Sequence, residues 1–110
     1  IGVNFMFVKV YQYHIQSDKI AEYISIQKRA SYIYRKYLEV NTVYLQSKDD
    51  NTKWMEISTY RNEVEYNKSI TLINKEEEMK KLFDEFQSLM VNGKEISEED
   101  YIKKNVWAVF

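Results

Sequence analysis

The sequence predicts an α+β domain in the order β-α-β-β-α-α-β, built on an antiparallel sheet. Three observations carry that expectation. Residues 5–15 (FMFVKVYQYHI) alternate like a strand yet have almost no polar face. Residues 40–47 and 52–60 also alternate, and Lys48-Asp49-Asp50-Asn51 between them is turn chemistry, so they form a hairpin. The remaining stretches carry apolar residues at three- and four-residue spacing, the period of helices with one buried face.

In the first strand Met6, Val8 and Val10 share one face, and Phe7, Lys9, Tyr11 and Tyr13 share the other. A strand with one solvated face should alternate apolar with polar residues. Here aliphatic groups alternate with aromatic ones, so both faces need cover. Helices are expected on the aliphatic face, and a second copy of the chain on the aromatic one. Ser17 is a suitable N-cap, with Asp18 in the first turn. The spacing of Ile20, Ile24, Gln27, Ala30, Tyr34 and Tyr37, widened by Tyr23 and Ile33, predicts a helix over residues 17–37. Its far side carries Lys19, Glu22, Lys28, Arg29, Arg35 and Lys36 and reads as a solvated face.

The hairpin repeats the first strand's pattern. Val43 and Leu45 lie opposite Thr42, Tyr44 and Gln46, and Met55 and Ile57 lie opposite Trp54, Glu56, Ser58 and Tyr60. Asn62 with Glu65 resembles a capping box and opens a short helix with Tyr66, Ile70 and Ile73 inward. Asn74 with Glu77 repeats the device ahead of a helix over residues 75–91, which ends at Asn92-Gly93. Its buried stripe is Met79, Leu82, Phe83, Phe86, Leu89 and Met90, worth roughly 9–18 kcal/mol gross at about 1.5–3 kcal/mol per side chain. Residues 95–100 read as an acidic loop. Residues 101–110 read as a last strand, with Val106 and Ala108 opposite Trp107 and Val109. Each half of the chain is βαβ-like, which is the ferredoxin-like plan in a single domain over residues 1–110.

A chain of 110 residues is long enough to bury roughly 65% of its unfolded surface. Its 45% hydrophobic and 30% charged content is that of a globular protein, and its net charge of −1 supplies no field for nucleic acid or acidic membrane. The 15% aromatic content suits a pocket or an interface as well as a core. Absence of cysteine excludes disulfides and thiolate catalysis and fits a cytoplasmic home. No apolar run approaches the roughly 20 residues of a membrane span, and no signal-peptide pattern opens the chain. It starts at Ile1 rather than Met, so residues 1–4 read as a remnant or as the start of a trimmed fragment.

Several site types are excluded by composition. With glycine only at positions 2 and 93, no phosphate-cradling loop is possible. Asp49-Asp50-Asn51 lacks the central Gly and closing Glu of a calcium loop. His14, the only histidine, is expected on the helix side near a strand end, without the partners of a metal site. Neither metal nor cofactor is expected.

The two-faced strand FMFVKVYQYHI, the hairpin around KDDN, and the helix NEVEYNKSITLI running into NKEEEMKKLFDEFQSLM resemble the dimeric α+β barrel superfamily, which includes antibiotic-biosynthesis-monooxygenase-like domains. The resemblance implies two sheets paired face to face in a homodimer. It also implies roles that range over cofactor-free oxidation of aromatic molecules, haem degradation, isomerisation and ligand binding. Haem degradation in that superfamily uses a histidine on the second helix, where this chain has none.

With the aromatic side as the barrel lumen, Tyr11, Tyr13, Tyr44, Trp54 and Tyr60 are the expected ligand-binding residues, alongside Ser58. Lys9 and Glu56 are the candidate catalytic groups, expected to pair across neighbouring strands in an aromatic-lined cavity. That setting suits a general base abstracting a proton from an activated aromatic substrate. The same residues suit an interface ion pair with tyrosines packing a dimer. Three functions stay open: a monooxygenase-like enzyme without metal or cofactor, a non-catalytic ligand-binding or stress-response module, and a structural dimerisation domain.

Overall fold

The structure, a computed structural model, describes residues 5–104. Its elements are β1 (Met6–His14), α1 (Ile20–Arg35), β2 (Val40–Gln46), β3 (Lys53–Tyr60), α2 (Glu63–Ile73), α3 (Glu77–Leu89) and β4 (Ser97–Lys103). The strands form one antiparallel sheet in the order β2-β3-β1-β4. Each half is a split βαβ unit whose crossover passes over a central strand, so the sheet is ferredoxin-like as the sequence predicts. No helix among the described residues is long and apolar enough to cross a membrane.

The helices cover the face expected to be bare. Phe7, Tyr13 and Ile15 of the first strand region are buried with Tyr23, Ile26 and Ile33 of α1 and with Leu82 and Leu89 of α3 or Tyr66 of α2. Val43 and Leu45 stay 44% and 49% exposed, and Met6, Val8, Val10, Met55 and Ile57 are half-buried beside them. Strand parity fixes which side chains share a face, but not which face receives the helices. Bulky rings bridge the gap between sheet and helices and pack edge to face, Tyr13 against Phe86 at 5.0 Å and 90°. The aliphatic side chains of the other face form a flatter surface suited to a second sheet.

Two element boundaries differ from expectation for local reasons. The α1 helix begins at Ile20 because Lys19 N–H closes a turn onto Gln16 C=O, leaving Ser17 and Asp18 before the helix with no capping role. Its buried stripe is rotated to Tyr23, Ile26 and Ile33, with Ala30 and Tyr34 beside them, while Ile24 and Tyr37 are exposed. Asn62 does cap α2, its side chain accepting from Glu65 N–H at 2.8 Å. Asn74, by contrast, ends α2, its N–H going to Ile70 C=O, so α3 starts at Glu77 without a side-chain cap.

After α3 the backbone ties back to the first strand, Val91 N–H to His14 C=O and Gln16 N–H to Leu89 C=O. Gly93 then turns with φ of 78°, a conformation that favours glycine. Residues 98–100 are not a solvated loop. They lie in β4, an edge strand whose charges discourage pairing with another chain. The last-strand expectation over residues 101–110 holds to Lys103, and Val106 to Val109 lie outside the described residues.

Candidate functional site

A cavity of about 420 Å³ lies between the sheet and helices α1 and α3. Its floor is the aromatic side of the sheet: Tyr11 and Tyr13 from β1, Tyr44 from β2, Glu56, Ser58 and Tyr60 from β3. Register places them together, since Tyr11 sits opposite Glu56, which sits opposite Tyr44. Its roof is Ile26, Gln27, Ala30 and Tyr34 from α1 with Met79, Leu82 and Phe86 from α3. Of the side chains expected in the lumen, Tyr11, Tyr13, Tyr44, Glu56, Ser58 and Tyr60 line a cavity and Lys9 and Trp54 do not, and that cavity is roofed by the chain's own helices, not by a second sheet.

Glu56 is the polar centre of this cavity. Its Oε1 accepts hydrogen bonds from Tyr13 Oη at 2.8 Å and from Gln27 Nε2 at 3.3 Å. Tyr13 is in turn 2.6 Å from Tyr23 Oη, and because Tyr13 donates to the carboxylate, Tyr23 is the donor of that bond. Tyr44 Oη donates to Gln27 Oε1 at 3.1 Å, which orients the amide so that its N–H₂ faces Glu56. Oε2 takes up none of these bonds. Burial pushes the Glu56 pKa above its ordinary value, and the Tyr13 and Gln27 donors pull only part of the way back.

The tyrosines play the opposite role. Burial raises the phenol pKa of Tyr11, Tyr34, Tyr44 and Tyr60, and burial with the Glu56 charge raises that of Tyr13. They remain protonated at neutral pH and serve as donors and apolar walls. Among the side chains on the floor, Glu56 is the one suited to accept a proton.

Lys9 and Glu56 do not pair. Lys9 stands opposite Ser58, and its ammonium donates to Glu98 Oε2 at 2.9 Å and Asp100 Oδ1 at 2.6 Å. The nearer carboxylates come from β4, which adjoins β1 on the side away from β3. Burial works against the Lys9 charge, and the Asp100 and Glu98 hydrogen bonds outweigh it, so its pKa is raised. Trp54 is also off the cavity wall: it packs on Tyr23 at 4.7 Å, with its buried Nε1–H unpartnered. His14 lies on the open face rather than the helix side, 2.9 Å from Thr52 Oγ1.

Sequence reasoning missed Glu98, which reaches the cavity wall. The acidic run hides its strand, and the one available signal is the alternation of Ile96, Glu98, Asp100 and Ile102 against Ser97, Glu99, Tyr101 and Lys103.

A ferredoxin-like sheet with helices on one face and a cavity beneath them defines a class of fold, and solved structures identify it. A Nitrosomonas europaea protein assigned as an antibiotic biosynthesis monooxygenase matches with a TM-score of 0.65 at 14% identity, over 97% of this chain and 96% of its own. SnoaB, a cofactor-independent oxygenase from Streptomyces nogalater, matches with a TM-score of 0.65 at 10% identity, over 96% and 97%. A NIPSNAP family protein of unknown function from Agrobacterium tumefaciens matches with a TM-score of 0.67 at 14% identity, over 94% and 90%. The chain has the fold of the antibiotic-biosynthesis-monooxygenase-like proteins, the dimeric α+β barrels. No protein-family model matches it, and no curated protein matches it by sequence. Identities this low speak for the fold alone.

Proposed function

We propose that the cavity is the active site of a cofactor-independent, monooxygenase-like enzyme acting on a small aromatic molecule, with Glu56 as general base. The observation that carries this reading is the half-buried Glu56 carboxylate, held at Oε1 with Oε2 outside these bonds, in an aromatic-walled cavity of about 420 Å³. That volume falls in the range of small-molecule sites, about 300–1,000 Å³. A polycyclic phenol with an acidic ring CH₂ would lose a proton to Glu56, leaving a carbanion delocalised over the rings. The carbanion adds to O₂, which is reduced as the C–O bond forms. The resulting peroxide takes the proton from Glu56, and the hydroperoxide then loses water to leave a carbonyl. One oxygen atom ends in the product and one in water, and all four electrons that reduce O₂ come from the substrate CH₂. Raised basicity at Glu56 supports the first step.

SnoaB, a cofactor-independent oxygenase, shares the fold, which makes the chemistry compatible with this architecture. The aliphatic face bearing Val8, Val10, Val43 and Leu45 suits pairing with a second copy, and a chain without cysteine is in keeping with the cytoplasm. A ligand-holding module without catalysis is the second reading. It is favoured by the Tyr23–Tyr13–Glu56 chain, which also serves simply to satisfy polar groups under the helices. A purely structural dimerisation domain is disfavoured by the size of the cavity.

Oxygen consumption with a panel of anthrone and hydroquinones separates the first two readings. Turnover in the native protein, reduced by about 10²–10⁴-fold in Glu56→Gln, is expected for a general base. Uptake absent with every substrate, or unchanged in the variant, would remove Glu56 from catalysis.

A further inference from the structure

We propose that the cavity selects aromatic ligands bearing a positive charge, an aromatic ammonium, over neutral and carboxylated ones; this rests on its reading as a small-molecule site. Apart from tyrosines, the ionisable side chains on its wall are Glu56 and Glu98, and no Lys, Arg or His of the described residues lines it. Glu56 meets only neutral donors, Tyr13 Oη and Gln27 Nε2, both at Oε1, and no cationic group of the described residues lies within ion-pair distance. A half-buried carboxylate under aromatic walls has lost part of its hydration and has no counter-ion, and a ligand ammonium beside it would supply one. A ligand carboxylate would add a like charge instead.

The molecule already holds one ammonium this way. Lys9 Nζ lies 5.6 Å from the Phe7 ring, 5.9 Å from Tyr11 and 5.2 Å from Tyr66, and is closed by Glu98 and Asp100. Ring faces and carboxylates are the two elements that attract alkylammonium groups. Tyr11 and Glu98 belong to both that cage and the cavity wall. The cavity continues the same surface with Tyr34, Tyr44 and Tyr60, and replaces the lysine with open volume beside Glu56. Lys9 offers a ligand anion no net attraction, because its one positive charge faces two carboxylates.

Calorimetric titration at neutral pH with tryptamine, 3-methylindole and indole-3-acetate holds the bicycle nearly constant and changes only the charge. Tryptamine is expected to bind about tenfold more tightly than 3-methylindole, and indole-3-acetate more weakly than either, about 1.4 kcal/mol separating the first two. Glu56→Gln should lower tryptamine affinity by about tenfold and leave 3-methylindole within about twofold. The native ranking stands without the variant, and Glu98→Gln gives a second probe should Glu56→Gln not fold. If 3-methylindole binds as well as tryptamine, the charge preference is overturned while the cavity reading survives. If no probe of any charge binds, both fall.

Discussion

Tyr13 donates to Glu56 and receives from Tyr23, so one hydroxyl holds the polar centre of the cavity in place. Tyr13→Phe keeps the ring packing against Phe86 but strips a donor from Glu56 and removes the acceptor of the buried Tyr23 hydroxyl. The expected loss is about 1–3 kcal/mol in denaturant unfolding, with the transition slope unchanged. At Glu56 the sign of the pH effect follows from its raised pKa. Ionising the folded protein is harder than ionising the unfolded chain, so stability from this residue is fully present below the ordinary value of 4.5 and is lost as pH rises through the folded value. Glu56→Gln cannot titrate. The native protein should therefore lose melting temperature relative to the variant as pH is raised from about 4.5 to neutrality. A difference that moves the other way would mean that the carboxylate is stabilised, not strained, in its site.

At the scale of elements, the sequence made β1, the hairpin of β2 and β3, and α2 legible because alternation and the Asn62–Glu65 cap are local signals. It did not reveal which side of the sheet the helices take. The sequence reading put Phe7, Tyr11 and Tyr13 against a second sheet, and the long-range docking of Tyr23, Ile26, Leu82 and Tyr66 puts them under the helices instead. The Lys9 partner was illegible for a related reason: strand order puts β4 and β3 on opposite sides of β1, and the acidic residues of β4 looked like a loop. Among the expected cavity residues, those on the wall share parity with Tyr13, whereas Trp54 shares it too but sits at the hairpin end beneath Tyr23. The Lys9 link fastens this edge strand. Lys9→Met should cost roughly 1–2 kcal/mol, less than a fully buried pair because the Glu98 and Asp100 side chains are 54% and 50% exposed. Amide exchange should quicken in β4 and stay unchanged in β3; equal change in both would show that Lys9 acts on the whole sheet.

The whole molecule has two differently built sides, a cavity beneath the helices and an open sheet face with Val43 paired to Ile57 and Leu45 to Met55. A contiguous aliphatic sheet face of this kind marks an interaction surface, and a second copy of the same sheet is its simplest complement. If this face pairs with a second copy as proposed, native mass spectrometry should find a dimer, and Val10→Lys should shift it to monomer, since the new charge would be desolvated without a partner. A monomeric native protein would remove the paired barrel but not the cavity, which the chain's own helices roof. The direct test of function on the cavity side is calorimetric binding of 3-methylindole to the native protein, to Ala30→Trp, which fills the cavity from α1, and to Val10→Lys. Binding should vanish in Ala30→Trp and persist in Val10→Lys. Binding that survives the filled cavity and is lost with the open face would place the ligand between subunits and contradict the assignment.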